Sequence, residues 1–461
     1  MSGNLAAATG YVKSSSQTEN GRFGLSVALS RDGQTMAIGN NRDAVHVFAR
    51  HGGAWVQQAL VTGANTEAGD GFGSFAVALS GNGDVLAVGA KGEDSEANGV
   101  NSIDPADNSL HESGAVYVFR RQGTSWAQEA YVKASNSGAD DGFGHSLALS
   151  ANGTTLAVGA IGEDSNAMGI GGSQADNSAT DSGAVYVFSH DGSAWAQQAY
   201  VKASNTGAGD VFGRSVALAA DGSTLVVGAD REDSNVTGTA GGNQVDNSAT
   251  DSGAAYVFTR SSGTWSQQAY LKASNTAAGD AFGGVVALSA DGNTLAASAY
   301  AEQILTGAVY VFTRSGSDWT QQASLKASNP LSNRFGAGMA LSPDGLTLAV
   351  GAPFERSGAI GINGNQADSS APDSGAVYVF VRSGGNWAQR AYVKAPNTDA
   401  DDRFGGGQGL DFYGVGGLAL GGEGKALTLA VGSIQEDSNA TGINGNQADN
   451  SLSNSGAVYL Y

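Results

Sequence analysis

Residues 143–203 carry the reading that decides the fold. They run from Phe143 to Ser150 (FGHSLALS), through a turn at Ala151-Asn152-Gly153, to Thr154–Ala160 (TTLAVGA). After an acidic stretch come Gly183–Phe188 (GAVYVF) and Trp195–Ala203 (WAQQAYVKA). The apolar runs are short, rich in β-branched residues and bounded by Gly, Asn and Asp, and the last alternates apolar with polar. Each therefore reads as a strand. Asn-Gly between the first two is a tight-hairpin signal, so the segment predicts four antiparallel strands.

The same grammar recurs along the whole chain. Phe-Gly pairs at Phe23, Phe72, Phe143, Phe212, Phe282, Phe335 and Phe404 open seven copies, spaced 49 to 71 residues apart. A unit copied at such a period marks a repeat architecture. Four strands per unit and seven units predict an all-β, seven-bladed β-propeller, in which radial repetition leaves only short edges. A parallel β-helix would need a far shorter period, and the W-D signature of another propeller class is absent. The last copy stops at Tyr461 within its third strand, while Tyr11-Val12-Lys13 is a fourth strand without a unit. Residues 9–14 are therefore expected to complete the last blade and close the ring, making 1–461 a single propeller. All six tryptophans (Trp55, Trp126, Trp195, Trp265, Trp319, Trp387) open complete fourth strands. They read as packing between or outside blades.

Composition narrows the function classes. The 461 residues include 70 Gly, 6 Pro and no Cys, with 23 basic against 43 acidic side chains and a net charge of −20. That charge argues against nucleic acid, whose phosphates require clustered Lys and Arg, and suits a cation-attracting surface. Disulfide and thiolate chemistry are excluded. No long apolar run suggests insertion into a membrane; the chain is either cytosolic or an exported protein or fragment whose targeting segment lies outside it, and the second is expected.

Phe-Gly opening the first strand, Gly-Ala ending the second and G-A-V-Y in the third resemble the FG-GAP repeat. That resemblance implies an integrin-α-like propeller, and with it cell adhesion by a secreted or surface protein of bacterial type. The family often carries a D-x-D-x-D-G calcium loop between strands one and two. Here that turn is short, as at Arg31-Asp32-Gly33, Gly81-Asn82-Gly83, Ala220-Asp221-Gly222 and Pro343-Asp344-Gly345. It offers too few oxygens for Ca²⁺, which takes six to eight, so those sites are not carried over.

Strand alternation puts the two–three and four–one loops on one face. Five units insert an acidic loop there, beginning at Glu93, Glu163, Glu232, Glu355 and Glu436; units one and five omit it. Acids or Asn also precede Phe-Gly, at Asp70, Asp141, Asp210, Asp280, Asn333 and Asp402. Two readings of the inserts stand side by side. In one, Asp94, Asp164, Asp233 and Asp437 with Asp107, Asp176, Asp246 and Asp449 converge on Ca²⁺. In the other, these side chains cap turns through their own backbone.

Comparison between copies suggests an ion pair. Glu recurs four residues beyond the Gly of strand two (Glu93, Glu163, Glu232, Glu302, Glu355, Glu436), and Lys ends strand four (Lys133, Lys202, Lys272, Lys326, Lys394, Lys13). Unit one instead has Asp43 and Thr62. If each Lys serves its own blade, then Glu163–Lys202, Glu232–Lys272, Glu436–Lys13 and their equivalents are structural bridges. As surface pairs each would contribute about 1 kcal/mol or less.

Catalytic signals are missing. The histidines (His46, His51, His111, His145, His190) share no motif, and there is no H-E-x-x-H, G-x-S-x-G or Walker loop. The Gly-rich stretch around Asp411-Phe412-Tyr413 in unit seven reads as a bulge or plug at the closure, or as part of a singular site. The expectation is a non-enzymatic extracellular scaffold, a monomer or a module of a larger chain, that binds a protein or glycan on its acidic long-loop face. The rivals are a multivalent lectin, a hydrolase built on one asymmetric blade and a purely structural spacer.

Overall fold

A computed structural model describes residues 7–102, 107–239, 241–329, 333–406, 417–422 and 424–461. These residues form seven four-stranded sheets, each with its strands in sequential antiparallel order. Blade three, for example, comprises Phe143–Leu149, Thr155–Ala160, Ala184–His190 and Trp195–Val201. The exception to sequential order is the expected one. In blade seven, Leu418–Gly421, Thr428–Ser433 and Ala457–Leu460 are completed by Gly10–Val12, with Tyr11 opposite Tyr459. First strands of neighbouring blades touch all the way round, including blade seven against blade one, so they line the axis.

The apolar core lies between blades. One cluster joins Val185, Val187 and Val201 of blade three to Phe212, Leu225, Val227 and Tyr256 of blade four, and similar clusters occupy the other junctions. The L-A-V-G-A strand explains how this works. Leu156, Val158 and Ala160 face blade two, whereas Ala157 packs toward blade four. Alternation on a strand thus puts large side chains on one face and small ones on the other. Gly159 lies on the small face, where a Cβ would stand 2.3 Å from the Gly213 carbonyl oxygen of the next blade. The repeated G-A and F-G motifs are therefore the two halves of one interblade contact. The Phe rings pack edge-on against their own third strand, as Phe143 does against Tyr186 at 5.4 Å.

Two further devices join neighbours. On the short-turn face, backbone hydrogen bonds pass from one turn to the next: Asp32 N to Gly81 O at 3.1 Å, Gly81 N to Ala151 O at 2.8 Å, Ala151 N to Ala220 O at 2.8 Å, Ala220 N to Ala290 O at 2.9 Å, Ala290 N to Pro343 O at 2.9 Å and Gly422 N to Arg31 O at 2.9 Å. Pro343 has no N–H, so it cannot donate onward to blade seven. On the outer edge, a bulge in strand four skips Gln198 in the pairing with strand three. Such a bulge re-aims a side chain. Gln198 accepts the indole N–H of Trp265 from blade four at 2.9 Å, and Gln58, Glu129 and Gln268 accept those of Trp126, Trp195 and Trp319. The tryptophans are interblade packing groups, as their positions suggested.

Candidate functional site

The long-loop face is built on the repeated Glu. In blade three, Glu163 Oε1 accepts from Tyr200 Oη at 2.7 Å and Asn136 Nδ2 at 3.1 Å. Its Oε2 accepts from Lys202 Nζ at 2.8 Å and the Ser165 backbone N–H at 3.1 Å. Lys202 also donates to Ser182 Oγ at 2.7 Å. One carboxylate thereby joins strand four of its own blade, its own insert and, through Asn136, the linker leaving the preceding blade. Lys133–Glu93, Lys272–Glu232, Lys394–Glu355 and Lys13–Glu436 repeat the pair at 2.6–2.9 Å, and each is confined to its own blade.

The surface location expected for these pairs is corrected by the structure. In these five blades the Lys is 0% and the Glu no more than 2% exposed. The insert is the cause. It folds back over the end of strand four, pairing Ile170 with Val201, and Gly169 O receives the Lys202 backbone N–H at 2.7 Å. Desolvation by burial lowers the Lys202 pKa, opposed chiefly by the charge of Glu163. Neighbouring carboxyls are also buried. Burial raises Asp141 to about 7 and Asp210 and Asp402 to about 8, although each accepts a backbone N–H from three residues back that pulls it down.

Unit one breaks the pattern, and Asp43 does not take the place that Glu holds in the other copies. Asp43 is not a shortened Glu: its carboxylate accepts the Phe72 N–H at 3.1 Å and the Gly69 N–H at 3.4 Å. In blade three the corresponding N–H, that of Phe212, goes to the Ser182 carbonyl. Thr62 is exposed and His46 replaces the strand-three Tyr. His46 is buried and its pKa is lowered to about 4 by desolvation, so the position is neutral. Losing acid and base together avoids a stranded buried charge.

The Asp side chains of the inserts are not brought together. Asp94, Asp164, Asp233 and Asp437 each accept a backbone N–H from the far end of their own insert, those of Glu112, Asp181, Asp251 and Asn454. Asp107, Asp176, Asp246 and Asp449 each accept the N–H two residues ahead. Among the described residues no three acidic or His side chains cluster closely enough to share a metal ion. A Ca²⁺ cage needs six to eight convergent oxygens, and these oxygens serve turns instead, so the residues do not fit that ion as arranged. Asp411-Phe412-Tyr413 lie outside the described residues.

Blade five, like blade one, interrupts the acidic face. It lacks the insert, has Ser324 in place of the strand-four Tyr, and crosses from strand two to strand three in a few residues. Gln303, Ile304 and Leu305 there hold φ of 51°, 57° and 65°, a left-handed run that costs side-chain-bearing residues strain. Without a covering insert, Lys326 is 35% exposed while still paired with Glu302 at 2.9 Å. A cavity of about 550 Å³ opens beside it, lined by Asn275, Asp280, Glu302, Gln303 and Ile304 among others. Ile304 on its rim is 87% exposed.

The sequence signals that could have located the network are present. K-A-S-N recurs at 133–136, 202–205, 272–275 and 326–329, and K-A-P-N at 394–397. Its Lys serves its own blade and its Asn the next.

Comparison with known proteins agrees with this geometry. A model of the FG-GAP repeat matches residues 126–188, 195–258 and 265–312. Each match starts at the outer strand of one blade and ends in the third strand of the next, so the sequence repeat is offset from the blade by one strand. No curated protein matches. Many solved structures share the architecture. The Cps50 (Swd1) β-propeller domain of Myceliophteria thermophila is 11% identical, with 98% of each chain covered and a TM-score of 0.52. Kuenenia stuttgartiensis hydrazine synthase is 15% identical over 79% of this chain and 77% of that one, with a TM-score of 0.44. At 11% identity the likeness to the Myceliophteria thermophila domain concerns the fold alone. Among the described residues, no helix is long and apolar enough to cross a membrane.

Proposed function

We propose that this FG-GAP repeat propeller is a non-enzymatic binding scaffold of the extracellular space or cell surface, which engages a protein or glycan through its long-loop face. The observation that carries this is the gap at blade five. Five blades seal their Lys–Glu pair under an insert, whereas blade five leaves the Lys326 partner of Glu302 35% exposed, and Glu302, Gln303, Asn275 and Asp280 line an open cavity with an apolar residue on its rim. Convergent donors and acceptors in a concavity are what a polar ligand requires. The strained run at 303–305 supports the same reading, because left-handed non-glycine residues concentrate at binding sites. Absence of cysteine and an acidic surface suit an exported protein.

The test fills the gap. Grafting residues 233–251 of blade four in place of Gln303–Leu305 should seal Lys326 as Lys272 is sealed. The wild-type chain and the graft are probed on glycan and extracellular-protein arrays, with melting curves as a folding check. Ligands retained by the wild type and lost by the folded graft support the proposal. Equal binding by both, or saturable turnover of a captured ligand, would overturn it.

A further inference from the structure

The inserts do more than cover the Lys–Glu pairs: they add a short strand to the outer edge of their blades. The Lys that ends strand four donates its backbone N–H to a Gly carbonyl of the insert (Gly99, Gly169, Gly238, Gly361 or Gly442) at 2.7–2.9 Å. In four of these blades the N–H two residues on, from Asn101, Gly171, Asn363 or Asn444, returns to the carbonyl of the strand-four Tyr at 2.7–2.9 Å. Between them Val100, Ile170, Ile362 and Ile443 form antiparallel bridges to strand four. Where the later residue is Asn, its Oδ1 also accepts the Tyr N–H at 2.9–3.0 Å. A Gly-Val-Asn or Gly-Ile-Asn tripeptide thus satisfies three outward-facing backbone groups.

Blade one has the same edge and no insert. Its outer strand, Ala54–Val61, pairs inward with strand three, and among the described residues nothing pairs with it outward. By register Leu60 stands where blade three has Tyr200, and Thr62 where it has Lys202. The N–H and C=O of Leu60 and the N–H of Thr62 are therefore the groups that inserts satisfy elsewhere. Leu60 is 51% exposed, whereas Tyr11, Tyr131, Tyr200, Tyr270 and Tyr392 are 6% or less. Val56, at a position held in other blades by Ala, Ser or Thr, is 47% exposed. Leu60 pairs with His46 and Val56 with Ala49, which sets them on opposite faces of the sheet, so a strand laid along the edge would touch both. Natural edge strands are blunted by charged side chains; this one carries Leu and Val instead. Blade five also lacks the insert, but Ser324 and Lys326 keep its edge polar.

We propose that the outer strand of blade one is completed by an extended segment of a partner protein, added antiparallel as the inserts are added elsewhere. In such strand addition main-chain hydrogen bonds hold the segment and alternate side chains select it. The inserts state the chemistry required: a β-branched apolar residue preceded by Gly and followed by Asn. Two of them spell it identically, as G-I-N-G-N-Q-A-D at 361–368 and 442–449. A concavity of about 520 Å³, lined by Ala49, Gln58 and Arg121 among others, opens beside the same strand, so a segment longer than the tripeptide has space for a further side chain. This surface is separate from the blade-five cavity, and either reading stands if the other falls.

The test uses the full chain and a fluorescein-labelled synthetic peptide copying residues 359–368, read by fluorescence anisotropy and by hydrogen exchange. Anisotropy should saturate, and bound peptide should slow exchange in residues 55–62 while leaving the equivalent segment of blade five, 319–326, unchanged. The peptide carrying Asn363→Pro, which loses both the N–H and the amide, should not bind. In the protein, Leu60→Lys removes an apolar contact and should weaken binding about tenfold. Thr62→Pro removes one donor and should weaken it severalfold. Arg390→Gln, on the exposed outer strand of blade six, should change nothing. Melting curves check folding; if Thr62→Pro does not fold, Leu60→Lys, at an exposed site, carries the test. No saturable binding, protection at blade five rather than blade one, or unchanged affinity in Leu60→Lys would overturn the proposal. So would light scattering that shows a dimer dispersed by Leu60→Lys, since a second copy would then cover the edge.

Discussion

Replacing Glu163 by Gln asks whether the Glu–Lys network is an interior or a surface feature. The change preserves shape, removes one charge and leaves Lys202, 0% exposed, facing an amide. Glu163 accepts four hydrogen bonds, and two of them go to the oxygen bonded to Lys202. A glutamine cannot accept at both ends. Breaking a buried pair from one side typically costs about 3–5 kcal/mol, against about 1 kcal/mol or less for an exposed one. Lys202→Met should cost less than Glu163→Gln, because the carboxylate left behind keeps three donors. For a chain of 461 residues, an unfolding entropy of about 2 cal/mol/K per residue makes each kcal/mol worth about 1 °C in Tm if the ring melts as a unit. Glu163→Gln should therefore lower Tm by about 3–5 °C, with a matching loss in guanidinium denaturation. The same change in blade five, Glu302→Gln, should cost less, since Lys326 is 35% exposed. Equal and sub-degree shifts in both blades would refute the argument that the insert turns a surface bridge into a buried one.

Three other outcomes follow from the same geometry. Asp210 and Asp402 hold protons in the folded state up to about pH 8, whereas unfolded Asp titrates near about pH 4. The native state then binds more protons between these values, so stability falls as pH rises from about 4 to 8; Asp210→Asn should flatten the melting profile in that window, and an unchanged slope would count against the buried acid. Gly159→Ala forces a Cβ to within 2.3 Å of Gly213 O and should destabilise by about 1–3 kcal/mol as overpacking does; a neutral Gly159→Ala in chemical denaturation would show that the blades can part. Calorimetric titration with Ca²⁺ should give no saturable heat and chelator should leave Tm unchanged, because the insert carboxylates already accept backbone N–H groups; a stoichiometric heat would show that they reorganise around the ion.

How much of this was legible is best seen in three places. Tyr11-Val12-Lys13 was assignable to blade seven because a four-strand repeat that ends after three strands must find its fourth elsewhere, and Tyr11 does lie opposite Tyr459. The Glu–Lys partnership was legible because copies within one chain act as their own comparison. Its burial was not, since that depends on the insert folding back onto strand four, a contact between segments the pattern treats as separate. Asp43 was misassigned for a related reason: counting residues past Gly39 aligns it with Glu, but its carboxylate reaches a backbone N–H of the next blade.

The order of strands, the number of blades and the way the ring closes were written in the sequence, because hydrophobic period, turn chemistry and repeat spacing are local properties that recur in the chain. Which charges are buried, which blade stands open and which strand edge is left bare were decided only in the tertiary structure. Those features depend on which loop covers which neighbour, and that is settled by packing across blades rather than along the chain.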